Sequence, residues 1–240
     1  MGSEMCIRDR DMKNHSSSRI LLGIDEAGRG PVIGPMIICG AIIKEEDIPK
    51  LVQIGVKDSK MLSPQRREKL KNLIEKIILQ WKIIKIPALE IDKFGINYLE
   101  LKNTAELINE FSPHIAFIDC PTCWCDSYCR KLKTLLKTSE TQIVAENFAD
   151  KNYPVVSAAS ILAKVTRDRE IEKISSIYGD VGSGYASDRR TIEFLKKCLR
   201  VHQNLPDFVR KRWKTVQRVS STINKEKNLQ SKFSKFNKND

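Results

Sequence analysis

Three short apolar runs in this chain stop on carboxylates, and that pattern limits the possible folds more than any other feature. Ile20–Ile24 stops at Asp25-Glu26, Ile115–Ile118 stops at Asp119, and Gln142–Ala145 is followed by a loop carrying Asp150. Apolar runs this short, set between polar breaks, read as buried strands. Val32–Ile43 supplies a longer apolar run after a glycine-rich turn, and Trp81–Ile86 alternates as a strand does. Between these lie helical patterns. Ser63 and Pro64 give start-signal chemistry, and Leu70, Leu73, Ile74, Ile77 and Ile78 follow as an amphipathic stripe. Tyr98–Phe111, Ser157–Ile174 and Thr191–Leu199 are further helices, Ser157–Ile174 opening with small residues (Ala158, Ala159) that permit close packing. Strands first, then strand and helix in alternation, predict an α/β domain with a mixed sheet.

Acids at the ends of neighbouring strands are brought into one cluster, where unpaired carboxylates repel. A divalent cation removes that repulsion, and clustered carboxylates suit Mg²⁺ or Mn²⁺ better than zinc. A single strand-end Asp also serves as a loop cap, so the neighbouring residues decide between the two readings. Here they are Ala27-Gly28-Arg29-Gly30-Pro31. Two glycines allow the backbone to approach a ligand, and an arginine between them can meet a phosphate.

Charge points the same way. The 240 residues carry a formal net charge of +12. From Arg200 to Asp240, eleven Lys/Arg face three Asp/Glu. Such a basic surface favours a polyanion, most simply nucleic acid; the alternative is a solubilising tail. No apolar run approaches the ~20 residues that span a bilayer. Residues 1–18 contain no apolar signal segment, so a cytoplasmic chain with reduced cysteines is expected.

At this point the sequence resembles a known family. Asp25–Pro31 (DEAGRGP), Asp58–Ser63 (DSKMLS) and Ser157–Asp168 (SAASILAKVTRD) are similar to the signature blocks of type 2 ribonucleases H, in particular ribonuclease HII of the archaeal kind. The resemblance implies a ribonuclease H-like fold: a five-stranded mixed sheet flanked by helices, with a small helical C-terminal region. It implies an endonuclease that hydrolyses the RNA strand of RNA–DNA hybrids and cuts at ribonucleotides embedded in duplex DNA, with two metal ions, leaving 5′-phosphate and 3′-hydroxyl ends. Carried over by motif, Asp25, Glu26, Asp119 and Asp150 are the catalytic metal ligands. Gly28, Arg29 and Gly30 match the backbone reader of the ribose 2′-OH, Tyr185 the tyrosine that stacks at the RNA–DNA junction, and Lys60 a phosphate contact. Asp168, in mid-helix beside Arg167 and Arg169, reads as a salt-bridge partner. The alternatives are another metal-dependent nuclease of the same superfamily, such as a junction resolvase or integrase, and a non-catalytic nucleic-acid-binding module.

Two stretches depart from the family pattern or extend it. Cys120, Cys123, Cys125 and Cys129 crowd after the third acid; reduced thiols are expected, against a zinc or iron–sulfur site. Gln230, Phe233 and Phe236 have the spacing of a sliding-clamp-binding peptide, against two aromatics in a disordered tail. The expected organisation is a disordered leader over 1–18, a catalytic domain over 19–200, a helical extension over 201–219 and a flexible basic tail over 220–240. The protein is expected to act as a monomer.

Overall fold

The computed structural model describes residues 18–56, 62–201 and 204–236, with side-chain detail to residue 226. Strands β1 (Ile20–Ala27) and β2 (Met36–Lys44) lead into helices α1 (Ile48–Gln53) and α2 (Pro64–Ile74). Strand β3 (Gln80–Ile86) is followed by α3 (Ala88–Phe94) and α4 (Ile96–Phe111). Then come β4 (Ile115–Asp119), α5 (Cys125–Lys133), β5 (Gln142–Glu146), α6 (Ala149–Asn152) and α7 (Pro154–Tyr178). Helices α8 (Arg189–Val201) and α9 (Lys214–Phe236) complete the order.

The five strands form one sheet in the order β3-β2-β1-β4-β5. β2 is antiparallel to both β1 and β3, while β4 is parallel to both β1 and β5. The sheet is therefore mixed and five-stranded, as expected. β1 is central, which explains why Leu22 and Ile24 on one face and Leu21 on the other are all buried. Helices α1, α2 and α7 cover one face; α3, α4 and α5 cover the other. Gly23 sets how closely α7 approaches. A Cβ there would lie 2.3 Å from the Val155 carbonyl oxygen, so a side chain would push the start of α7 off the sheet.

A third apolar cluster differs from the sequence reading. The expected strand Val32–Ile43 begins only at Met36. Val32 and Ile33 instead turn away to meet Val181, Leu195 and Val209, and an isolated antiparallel bridge joins Ile33 to Val209. The apolar run is divided by Gly34-Pro35, because proline cannot donate to a ladder.

The C-terminal boundary also moves. Residues 220–236, expected as a flexible tail, continue α9. Val216, Val219 and Ile223 are buried at helical spacing, which gives this basic helix a docked face. Gln230, Phe233 and Phe236 fall in its last part, outside the side-chain detail; Lys60 and the leader 1–17 lie outside the described residues. Among the described residues, no helix is long and apolar enough to cross a membrane.

Candidate active site

The parallel pairing of β1 with β4 sets Ile24 beside Ile118, so the next residues, Asp25 and Asp119, stand side by side on the sheet, Asp25 still paired to β2 and Asp119 to β5. Asp150 arrives from a different element. It lies in the first turn of α6 rather than in a loop, and the N–H of its neighbour Ala149 donates to Asp119 Oδ1 at 3.1 Å. One carboxylate oxygen from each of Asp25, Asp119 and Asp150 falls within 4.8 Å of the others, and Asp25 and Asp150 are buried. Glu26 lies beside the triad and outside this tight group; its backbone N–H donates to Asp25 Oδ1 at 2.7 Å. The structure thus brings three of the four expected acids together and leaves the fourth adjacent.

The electrostatics describe a cluster short of positive charge. Burial pushes the Asp25 carboxyl up to about 7; Lys164 and the Ser160 hydroxyl pull it back, and Asp119 adds to the rise. Burial and the Asp25 charge push Glu26 up to about 8, against the pull of Arg29. An all-oxygen donor set that holds protons this tightly is what a hard divalent cation displaces them from. The residues present therefore fit a hard divalent cation.

Lys164 and Ser160 were not singled out from the sequence. They occupy consecutive turns of α7, with Lys164 Nζ hydrogen-bonded to Ser160 Oγ and Ser160 in turn to Asp25. The i, i+4 spacing inside the SAASILAKV block was the available signal.

The glycine turn is built from beneath. Gly28 has φ +85°, and a Cβ there would sit 2.7 Å from the Arg167 side chain and from the Pro35 carbonyl. Only glycine fits. Arg210, fully buried, donates to the carbonyls of Gly28 at 2.5 Å, Arg29 at 2.8 Å and Gly34 at 3.1 Å, and its guanidinium lies 5.1 Å from the Trp213 ring centroid. Burial, helped by nearby Arg167, lowers Arg210 to about 10.

The expectation that Arg29 meets a phosphate is not what the geometry displays. Its guanidinium turns to α4, where it is ion-paired with Glu100 and donates to Asn97 Oδ1 at 2.6 Å. Glu100 is only 3% exposed, and a carboxylate so buried demands a countercharge.

Tyr185 is half-exposed and lies beside the turn. A Cβ on Gly30 would be 3.6 Å from Tyr185 Cε1. The buried Arg167 guanidinium lies 5.2 Å from the Tyr185 ring centroid and donates to the Ser183 carbonyl at 3.0 Å. The N–H groups of Val32 and Ile33 both donate to the Gly184 carbonyl, at 2.8 and 3.2 Å. Turn and tyrosine are thereby one unit. Neither Arg167 nor Arg210 was foreseen in this role, because their partners are distant in sequence.

Asp168 forms the expected salt bridge, though its partner is Arg67 on α2, at 2.6 Å. Cys120 is buried, with its thiol pushed up to about 12 by desolvation, so it stays protonated and unreactive. Among the described residues, the acid triad is the one group of three or more candidate ligands close enough to share an ion, and the cysteines form none.

Comparison with known proteins agrees with this geometry. A family model described as Ribonuclease HII matches residues 22–216. The chain is 42% identical over 219 residues to a ribonuclease HII of Thermococcus kodakarensis, covering 88% of this chain and 94% of that one. It is similar to the crystal structure of ribonuclease H2 from Pyrococcus horikoshii OT3, with TM-score 0.81, 40% identity, and 86% and 99% of the two chains covered. It is also similar to the ribonuclease HII in a structure of the PCNA:RNase HII complex from Archaeoglobus fulgidus, with TM-score 0.75, 42% identity, and coverage of 83% and 96%. With a family model matched over most of its length and relatives at about 42% identity, the chain belongs to the ribonuclease HII family.

Proposed function

We propose that this protein is an endonuclease that hydrolyses the RNA strand of RNA–DNA hybrids and cuts at ribonucleotides embedded in duplex DNA, leaving 5′-phosphate and 3′-hydroxyl ends. One observation carries the reading: the Asp25–Asp119–Asp150 cluster adjoins a glycine turn against which Tyr185 packs. Divalent ions held by Asp25, Glu26, Asp119 and Asp150, either Mg²⁺ or Mn²⁺, supply an activated water and stabilise the leaving oxygen of a phosphodiester.

The protein's own groups do the rest. Lys164 and Ser160 fix the Asp25 carboxylate, and the Ala149 N–H fixes Asp119. Gly28–Gly30 and Tyr185 read the sugar, since a ribose offers a 2′-OH that both donates and accepts a hydrogen bond. Arg210 occupies the Gly28 and Arg29 carbonyls, so we assign this reading to the turn's N–H groups rather than to those carbonyls. Arg29 acts from within, tying the turn to α4 through Glu100. We assign the far end of α9, with Gln230, Phe233 and Phe236, to a sliding-clamp contact; this is supported by the likeness to the ribonuclease HII of the PCNA complex. The protein would act as a monomer in the cytoplasm.

The deciding experiment compares three duplexes: an RNA–DNA hybrid, DNA with one embedded ribonucleotide, and DNA alone. Cleavage of the first two, lost in Asp119→Asn by about 10³-fold or more, is expected. Equal cutting of all three would favour another superfamily nuclease, and binding without cutting would favour a non-catalytic module.

A further inference from the structure

We infer that Trp124 and Phe148 form a second nucleic-acid contact beside the acid cluster, an apolar surface that takes the sugars and bases of nucleotides flanking the scissile one. The inference rests on the nuclease reading above and adds a subsite to it. Trp124 is 74% exposed on the loop leaving β4, five residues after Asp119; Phe148 is 60% exposed on the turn leaving β5, two residues before Asp150. Large apolar rings left in water, on loops that directly follow two strands of the acid cluster, mark a binding surface.

The two loops are fastened to each other. Asn147 Nδ2 donates to the Cys120 carbonyl at 2.8 Å and to the Thr122 carbonyl at 2.7 Å. The Trp124 N–H donates to Thr122 Oγ1 at 3.1 Å, so Thr122 links both rings' supports. Phe148 is held at φ 62° and ψ 32°, left-handed backbone that a bulky residue rarely adopts. Asparagine would suit that backbone better, so the ring is present despite its backbone.

The charges beside the rings select a polyanion over an apolar protein face. Lys151 Nζ lies 5.1 Å from the Phe148 ring centroid, and Trp124 walls a cleft of about 430 Å³ with Tyr98, Lys131 and Glu100, whose charge is met by Arg29. Rings that stack or press on sugars, with lysines reaching phosphates, are how non-sequence-specific nucleic-acid contacts are built. The wide, shallow minor groove of an A-like hybrid presents sugar edges to such a surface.

The test uses the full chain and a labelled RNA–DNA hybrid, with divalent ions chelated to prevent cutting. Trp124→Ala and Phe148→Asn should each weaken Kd about tenfold, within the range for ring stacking, and leave the salt dependence of binding unchanged. Lys151→Ala should instead flatten the salt slope by about 0.9. Phe148→Asn should melt no lower than the parent, because asparagine accepts the left-handed backbone. Parental affinity in the Trp124→Ala/Phe148→Asn double variant would overturn the inference while the nuclease reading stands, and would point to a protein as the occupant. A parent chain that fails to bind the hybrid here, and fails to cut it once Mg²⁺ or Mn²⁺ is added, would overturn both.

Discussion

Arg210 donates through Nη2 to the carbonyl oxygen of Gly28 at 2.5 Å, across 182 positions of chain. The same guanidinium serves Arg29 and Gly34, so the turn's shape depends on one buried side chain from the C-terminal region. Arg210→Gln leaves buried carbonyls without donors, each worth about 1–3 kcal/mol. Denaturant unfolding should show a loss of about 3 kcal/mol or more. Cleavage at an embedded ribonucleotide should fall further than cleavage site exposure alone explains, with KM and kcat both affected. A variant with parental stability and rate would remove Arg210 from this role.

A metal and pH prediction follows from the acids. Asp25 moves from its ordinary 3.8 up to about 7, and Glu26 from 4.5 to about 8. Between those values the folded metal-free chain keeps protons that the unfolded chain has released. Stability of the metal-free protein therefore falls as pH rises through that window. Added Mg²⁺ should raise Tm little near about pH 5 and clearly near about pH 8. Melting curves with chelator or Mg²⁺ at the two pH values check the sign; an equal rise at both would contradict it.

Tyr185 gives a substrate-level prediction. Removing its hydroxyl in Tyr185→Phe should slow cutting at a single embedded ribonucleotide, and Tyr185→Ala should lose more, through ring contact worth about 1–3 kcal/mol. Metal-dependent stabilisation should be unchanged in both variants. Parental rates in both would require a different sugar reader.

The closeness of β1 and α7 is tested at Gly23. A Cβ would meet the Val155 carbonyl at 2.3 Å, and a backbone atom in a helix cannot rotate away. Gly23→Ala should lower stability by about 3 kcal/mol, the upper range for overpacking. An alanine variant that melts with the parent would mean that α7 yields more easily than its packing implies.

For the sliding-clamp contact, affinity of the intact protein is compared with that of Phe236→Ala. Clamp binding by the parent, reduced about tenfold or more in the variant, is expected for an aromatic anchor. Equal affinity, or none for either, would end that assignment.

What the sequence disclosed and what it withheld have one physical origin. Asp25 and Asp119 were legible because each follows an apolar run, and the parallel pairing of Ile24 with Ile118 brings the next residues side by side. Tyr185 was legible because a local motif surrounds it. Arg167, Arg210 and the Glu100 partner of Arg29 were not, because a buried ion or carbonyl clamp joins residues that share no local pattern. The helical C-terminal region was expected, but the reach of α9 beyond residue 219 was missed for a related reason. Its overall composition is basic, and only the spacing of Val216, Val219 and Ile223 reveals a docked face. The division of the Val32–Ile43 run was signalled by Gly34-Pro35, but where Val32 and Ile33 would go depends on Val209.

The bridge from Ile33 to Val209, with Arg210 beneath Gly28 and Arg29, has a temporal consequence. The acid cluster draws on chain as far as α7, whose Ser160 and Lys164 hold Asp25, whereas the glycine turn is braced only by residue 210. In synthesis from the N-terminus, the turn therefore receives its brace after every element of the acid cluster is present.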